Sequence, residues 1–200
     1  MIAYKGFKKD LTATFGKGIY QYRTGETLHE EKSKTRSTGF HSAEYILDCM
    51  KWYPLNGENR FFEVEAAGSI DEEAECSMVV STEITLLREL TIGEIALVAV
   101  RYMIEHPKRN WEESGSRLCV NRDMAEGTEP ESIIIARGAH PKVKAQEDSA
   151  IGLIVENEDG IQSAIVRMVR KEGAVRPGIW YTITETGKLK EVQHNEKKED

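Results

Sequence analysis

The spacing of apolar and polar positions gives the chain several successive textures. The opening fifty residues alternate short apolar pieces with Gly6, Gly16, Gly18, Gly25 and Gly39, which predicts short strands joined by turns. From Ser42 the period lengthens. Ile46, Leu47, Met50 and Tyr53 share one helical face, Ser42 stands where it caps the first turn, and Tyr53-Pro54 stops the element, so a helix of about three turns is predicted. Period two returns in Phe62-Glu63-Val64-Glu65-Ala66 and in Val80-Ser81-Thr82-Glu83-Ile84-Thr85-Leu86, two half-buried strands. The charge run Asp71-Glu72-Glu73-Ala74-Glu75 between them reads as a solvated loop. Thr91-Ile92-Gly93-Glu94 has capping-box spacing. Ile95, Val98, Ala99, Tyr102 and Met103 then form an apolar stripe that His106-Pro107 closes.

Past Lys108-Arg109-Asn110 the texture turns to Gly, Ser, Asn and Glu broken by short apolar bursts, which places a domain boundary near residues 108–115. Ser116-Arg117-Leu118-Cys119-Val120, Ser132-Ile133-Ile134-Ile135-Ala136 and Ser149-Ala150-Ile151-Gly152-Leu153 begin 16 and then 17 residues apart. That spacing suits rungs of a short parallel β-solenoid, and it equally suits a plain β-meander. Ile161 to Val169 after the turn Asn157-Glu158-Asp159-Gly160, and Ile179-Trp180-Tyr181-Thr182-Ile183 before Gly187, predict antiparallel hairpins. The expected fold class is therefore α+β. A small, mainly antiparallel sheet with two helices fills residues 1–110, a β-rich part follows over 111–192, and a charged tail over 193–200 frays.

Composition narrows the setting. Hydrophobic residues make up 40% of the 200, enough for a core, and the balance of 27 Lys and Arg against 34 Asp and Glu gives a net charge of −7. An acidic balance repels phosphate backbones, so nucleic acid is not the expected partner. Cys49, Cys76 and Cys119 are odd in number and lack metal or redox spacing, and His29, His41, His106, His140 and His194 form no ligand pair. No metal and no disulfide are expected. The N-terminus has no signal-peptide apolar stretch, and Glu94 and Arg101 interrupt the most hydrophobic segment, so the expected place is the cytoplasm, with no membrane span.

Ala3-Tyr4-Lys5-Gly6-Phe7, Gly39-Phe40-His41-Ser42, the run ending Trp52-Tyr53-Pro54 and Arg60-Phe61-Phe62-Glu63-Val64-Glu65 follow one another in an order that resembles a domain-of-unknown-function family common in phages and prophages. Its members open on Y-K-G-F and carry G-F-H-A-C before a helix ending in Y-Y-P. The likeness covers roughly the first 90 residues, and Ser42-Ala43 departs from it where the family has a small residue and a cysteine. The resemblance implies a viral setting, in the host cytoplasm, and supplies no mechanism.

Three classes of function follow. The first is an accessory protein that binds a host or phage macromolecule, most simply a protein, and inhibits or redirects it; the acidic surface and the lack of a catalytic constellation favour this reading. The second is an NAD-using enzyme, because Phe15-Gly16-Lys17-Gly18-Ile19-Tyr20 is similar to the F-G-K-G-I-Y stretch of poly-ADP-ribose polymerases. That resemblance implies Tyr20 stacked on nicotinamide, Tyr4, Gly6, Gly16 and Gly18 beside the dinucleotide, and Glu83 as the ribose-orienting carboxylate. The third is a virion component assembled through the β-rich half, and homo-oligomerisation is expected there. His41 is the remaining catalytic candidate, as a general base assisted by Glu44; its bland alternative is to brace the helix that follows. Outside the NAD reading no cofactor is expected.

Overall fold

In the computed structural model, which describes residues 1–15, 18–35, 37–72 and 77–192, the opening alternation does form a strand, and its odd-numbered side chains Ala3, Lys5 and Phe7 are all buried. The chain forms two units, Met1–Tyr102 and Met103–Asp200. The first contains β1 (Ile2–Lys8), β2 (Thr12–Phe15), β3 (Gly18–Gln21), β4 (Thr27–His29), β5 (Phe40–Ala43), a 3₁₀ helix (Ile46–Lys51), β6 (Asn59–Glu72) and β7 (Met78–Glu89), and α1 (Ile92–Glu105) runs across the division. β7 pairs with β5, β5 with β1, β1 with β6, and β6 again with β7, all antiparallel, so these four strands close a small barrel; β4 pairs with β7 at residues 83–85, beyond the stretch that pairs with β5. β2 and β3 form a separate hairpin.

Closure makes one face of every barrel strand interior. Ala3 and Phe7 meet Phe62 and Val64 of β6, Ile84 and Leu86 of β7, Phe40 of β5, and Tyr22 just beyond β3 in one apolar cluster. Phe7 anchors it, with edge-on rings at 4.8 Å (Tyr22) and 5.5 Å (Phe62). The alternation in Phe62 to Ala66 is therefore correctly read, although the strand runs on through Asp71-Glu72, which the charge run had suggested was loop.

The first helix differs from expectation. Phe40–Ala43 is strand, because its backbone pairs with β7 along its length and with β1 at Ala43, and two ladders outweigh the weak helical preference of four residues. Ser42 is no cap; its Oγ donates to the Val79 carbonyl at 3.4 Å. A 3₁₀ turn starts only at Ile46, after Tyr45, with no side-chain cap, and it buries Ile46, Leu47 and Met50, the apolar face expected of it. α1 begins as its capping box requires: the Thr91 N–H donates to Glu94 Oε2 at 2.8 Å, and the Glu94 N–H to Thr91 Oγ1 at 3.3 Å. Its buried side is Ile95, Ala96, Ala99, Val100 and Met103, so the stripe is turned slightly from the expected one; Val98 and Tyr102 are half-buried.

The second unit continues with β8 (Glu113–Ser114), β9 (Leu118–Glu126), β10 (Ile133–Lys144), β11 (Ala150–Asn157), β12 (Gly160–Met168), β13 (Tyr181–Ile183) and β14 (Leu189–Glu191). The three apolar bursts become parallel neighbours in one register, Leu118 beside Ile133 beside Ala150. A meander would be antiparallel there. The stack stops at three strands, since the far edge of β11 pairs antiparallel with β12 through the expected turn, where Asn157 faces Gly160. β10 is buried on both faces along Ile133-Ile134-Ile135-Ala136, which explains the unbroken apolar run. Its register with β9 shifts between Arg137 and Lys142, and Gly138 turns that corner with φ +156°, a conformation that favours glycine; a Cβ there would lie 2.0 Å from Asp123 Oδ1 and would displace that exposed carboxylate. β13 and β14 form the last expected hairpin. Among the described residues no helix is long and apolar enough to cross a membrane.

Candidate functional site

A lysine at an interior position of a small barrel is the chemical oddity of the N-terminal unit. Lys5 follows Ala3 and precedes Phe7 on the inward side of β1 and is only 8% exposed. Its ammonium donates to the main-chain carbonyl of His41 and lies 5.8 Å from the ring centres of Phe7 and of Tyr22. Among the described residues no carboxylate pairs with it, and burial lowers its pKa from the usual lysine value to about 8. Lysines are almost never fully buried without a partner.

The space that this ammonium borders is a cavity of about 720 Å³, within the range of small-molecule sites. β1 supplies Lys5 and Gly6, β5 supplies Phe40 and His41, the 3₁₀ helix supplies Asp48 and Cys49, and Tyr20, Tyr22 and Tyr53 complete an aromatic wall. Trp52, 64% exposed, also lines it. Burial first, and then the neighbouring Lys5 charge, lowers the His41 pKa, so the imidazole is neutral at pH 7; its Nδ1 lies 3.2 Å from the Gly39 carbonyl. Cys49 is buried, its thiol is pushed up to about 12 chiefly by burial, and it donates to the Tyr4 carbonyl at 3.3 Å. A thiol so raised is a packing group and a poor nucleophile. Asp48 is engaged outside the lysine: Lys51 donates to Oδ1 at 3.0 Å and Ser77 to Oδ2 at 2.6 Å.

The residues expected from sequence are divided by this geometry. Tyr20, His41 and Gly6 line the cavity. The Tyr20 ring lies edge-on to Phe40 at 5.5 Å, and its hydroxyl donates to the Glu30 carboxylate, which with some burial raises its pKa. His41 sits on a strand, and Glu44, its expected assistant, is exposed. Tyr4 lies on the opposite side of β1 from Lys5 and contributes its carbonyl to Cys49, and Gly18 packs under the Tyr20 ring, 3.3 Å from where a Cβ would sit; neither lines the cavity. Glu83 is also outside the lining: it stands on β7 with its carboxylate 3.7 Å from His29 Nδ1. Gly16 and Cys76 lie outside the described residues. Among the described residues no group of three or more His, Cys, Asp or Glu is arranged to hold a metal ion.

Lys5 is the residue that sequence reading passed over. Its signal was present: in Ala3-Tyr4-Lys5-Gly6-Phe7 the lysine occupies the parity of the two core residues. Gly6 has a separate, steric reason. A Cβ on it would stand 2.7 Å from the Tyr53 Cβ and 2.8 Å from the Tyr53 ring, so the glycine lets that wall of the cavity seat against β1. Gly6→Ala is expected to lower stability by roughly 1–3 kcal/mol through overpacking, read as a fall in the thermal midpoint; an unchanged midpoint would show that Tyr53 moves freely.

No curated protein and no solved structure matches the chain. Residues 1–98, which include every residue lining this cavity, match a family model described as Domain of unknown function (DUF7666), and it is to that family that the N-terminal part of the chain is similar.

Proposed function

We propose that the chain works by binding, and that the ligand of its N-terminal unit is a small amphipathic anion, with its apolar body against the aromatic wall and its anionic head on Lys5. The observation that carries this is a nearly buried ammonium beside a cavity, with no carboxylate paired to it among the described residues. Such a cation costs stability unless something anionic compensates it, and a ligand is the compensation the cavity admits. In the phage or prophage setting that the sequence resemblance implies, a binder of this kind acts as an accessory protein that withholds a molecule from its normal use. The NAD-using alternative draws support from Tyr20 and Gly6 in the lining, but it would need Glu83 near the same ligand, and Glu83 is engaged elsewhere.

The test uses anilinonaphthalene sulfonate, an aromatic anion whose fluorescence rises in apolar sites. Wild-type protein should bind it, and Lys5→Met should bind it about 10- to 100-fold more weakly, the worth of one charge-assisted hydrogen bond. The uncharged phenylnaphthylamine should bind both proteins alike. Equal affinity of the two proteins for the sulfonate would sink the reading.

A further inference from the structure

Lysines that do covalent chemistry share three features: enclosure in apolar surroundings, freedom from a carboxylate partner, and access to a space that admits a substrate. Lys5 has all three. It also sits on a barrel strand paired on both sides, with β5 and with β6, so the backbone carrying the amine is fixed. A purely structural buried cation would be expected to spend its three donors on oxygens of the fold. The oxygen that receives Lys5 is the His41 carbonyl, and the faces of Phe7 and Tyr22 and the Cys49 thiol, whose own proton goes to the Tyr4 carbonyl, stand nearby. Ring faces attract the ammonium, but they offer no donor to the neutral amine, whose lone pair is left for another partner.

We infer that Lys5 captures carbonyl compounds, its amine condensing in the N-terminal cavity with an aldehyde or ketone of an amphipathic ligand to form an imine. The inference deepens the binding reading and rests on it for the position of Lys5 beside the ligand. In the first step the nitrogen lone pair forms a bond to the carbonyl carbon, and the π pair moves to oxygen, which takes up a proton to give a carbinolamine. The nitrogen then loses its extra proton, its lone pair forms the C=N bond as the hydroxyl leaves, protonated, as water, and the iminium nitrogen gives up its remaining proton to leave the neutral imine. Amine and carbonyl thus become imine and water, with no oxidant or reductant. His41, neutral and lining the same cavity, is suited to carry protons between nitrogen and oxygen. The burial that lowers the lysine pKa supplies the neutral amine near pH 7, where an exposed lysine holds almost none.

The probe is 4-carboxybenzaldehyde, an aromatic anion bearing an aldehyde, presented to the full chain at neutral pH with cyanoborohydride, which reduces any imine to a stable secondary amine. Peptide mapping of the wild-type protein should find the label on Lys5 about a hundredfold ahead of the other lysines, as the difference in neutral-amine fraction requires. Benzoate, which has the anion without the aldehyde, should protect Lys5. Lys5→Arg should lose the fast label and keep the slow ones, with phenylnaphthylamine fluorescence showing that the cavity is intact. Label spread evenly over the lysines, or a fast label that survives in Lys5→Arg, would overturn the inference. The two readings fail separately. Sulfonate bound through Lys5 without aldehyde capture leaves the binding reading standing and removes the imine, whereas capture at Lys5 without sulfonate binding removes the amphipathic anion and keeps the chemistry.

Discussion

Arg137→Met is expected to lower the stability of the C-terminal unit by roughly 3–5 kcal/mol, the cost of breaking a buried ion pair by removing one partner. Arg137 is 1% exposed. Its Nε donates to Glu156 Oε2 at 2.8 Å, one terminal nitrogen to the Pro107 carbonyl at 2.9 Å and the other to the Met103 carbonyl at 3.4 Å, while its guanidinium lies 4.9 Å from the centre of the Trp111 ring. One planar cation thus ties the end of α1 and the segment after it to the parallel strands. Methionine fills much of the same volume but leaves two carbonyls without their donor and, among the described residues, Glu156 with only Arg122, at 4.0 Å. If the stranded carboxylate dominates the loss, adding Glu156→Gln should restore on the order of 1–2 kcal/mol, a coupling that a double-mutant cycle measures directly. Urea unfolding followed by the fluorescence of Trp111 and Trp180 gives the values. A loss below about 1 kcal/mol for Arg137→Met would mean that the pair is held at the edge of water and ties nothing down.

The elements that were legible in the sequence are those whose cause is local. The Thr91–Glu94 capping box, the Asn157–Gly160 turn and the positions of three apolar bursts all depend on residues within a few places of one another, and the structure has each of them. The parallel order of those bursts was not legible, because a strand does not encode the direction of its neighbour and the spacing fitted two architectures. Ser42-Ala43 was misread as the start of a helix for a related reason: its conformation is set by β7 and β1, whose pairing residues stand nearly forty places away. Arg137 was invisible in the same way, with partners 19 to 34 residues distant. The site was half legible. Tyr20 and Gly6 were named for their likeness to a nucleotide-binding stretch and His41 for its motif, and all three line the cavity. Lys5 was overlooked because a lysine in a strand is by default assigned to solvent, although its parity with Ala3 and Phe7 placed it inside.

Lys5→Met is expected to act in the opposite sense to Arg137→Met, stabilising the N-terminal unit while weakening the proposed anion binding. Burial lowers the lysine pKa from 10.5 to about 8, and at about 1.4 kcal/mol for each tenfold loss of proton affinity this is a penalty on the order of 3 kcal/mol. Its pH dependence has a definite sign. Below about pH 8 the lysine carries its proton both folded and unfolded, and the folded chain bears the whole penalty. Between about 8 and 10.5 the unfolded chain still holds a proton that the folded chain has released, so unfolding takes one up and stability rises with pH. Above that window both states are neutral and the penalty is gone. The advantage of Lys5→Met should therefore be largest below about pH 8 and fade towards pH 10.5, a trend that chemical unfolding of the two proteins at a series of pH values would trace. A variant less stable than wild type at pH 7, or a difference that ignores pH, would mean that the ammonium is satisfied in the free protein and needs no ligand. A residue that weakens its own fold in the absence of a partner is hard to account for by packing, and on the proposed reading the cavity beside it gives that weakness a use: the free energy withheld from folding would be returned when an anion, or a carbonyl group, reached the amine.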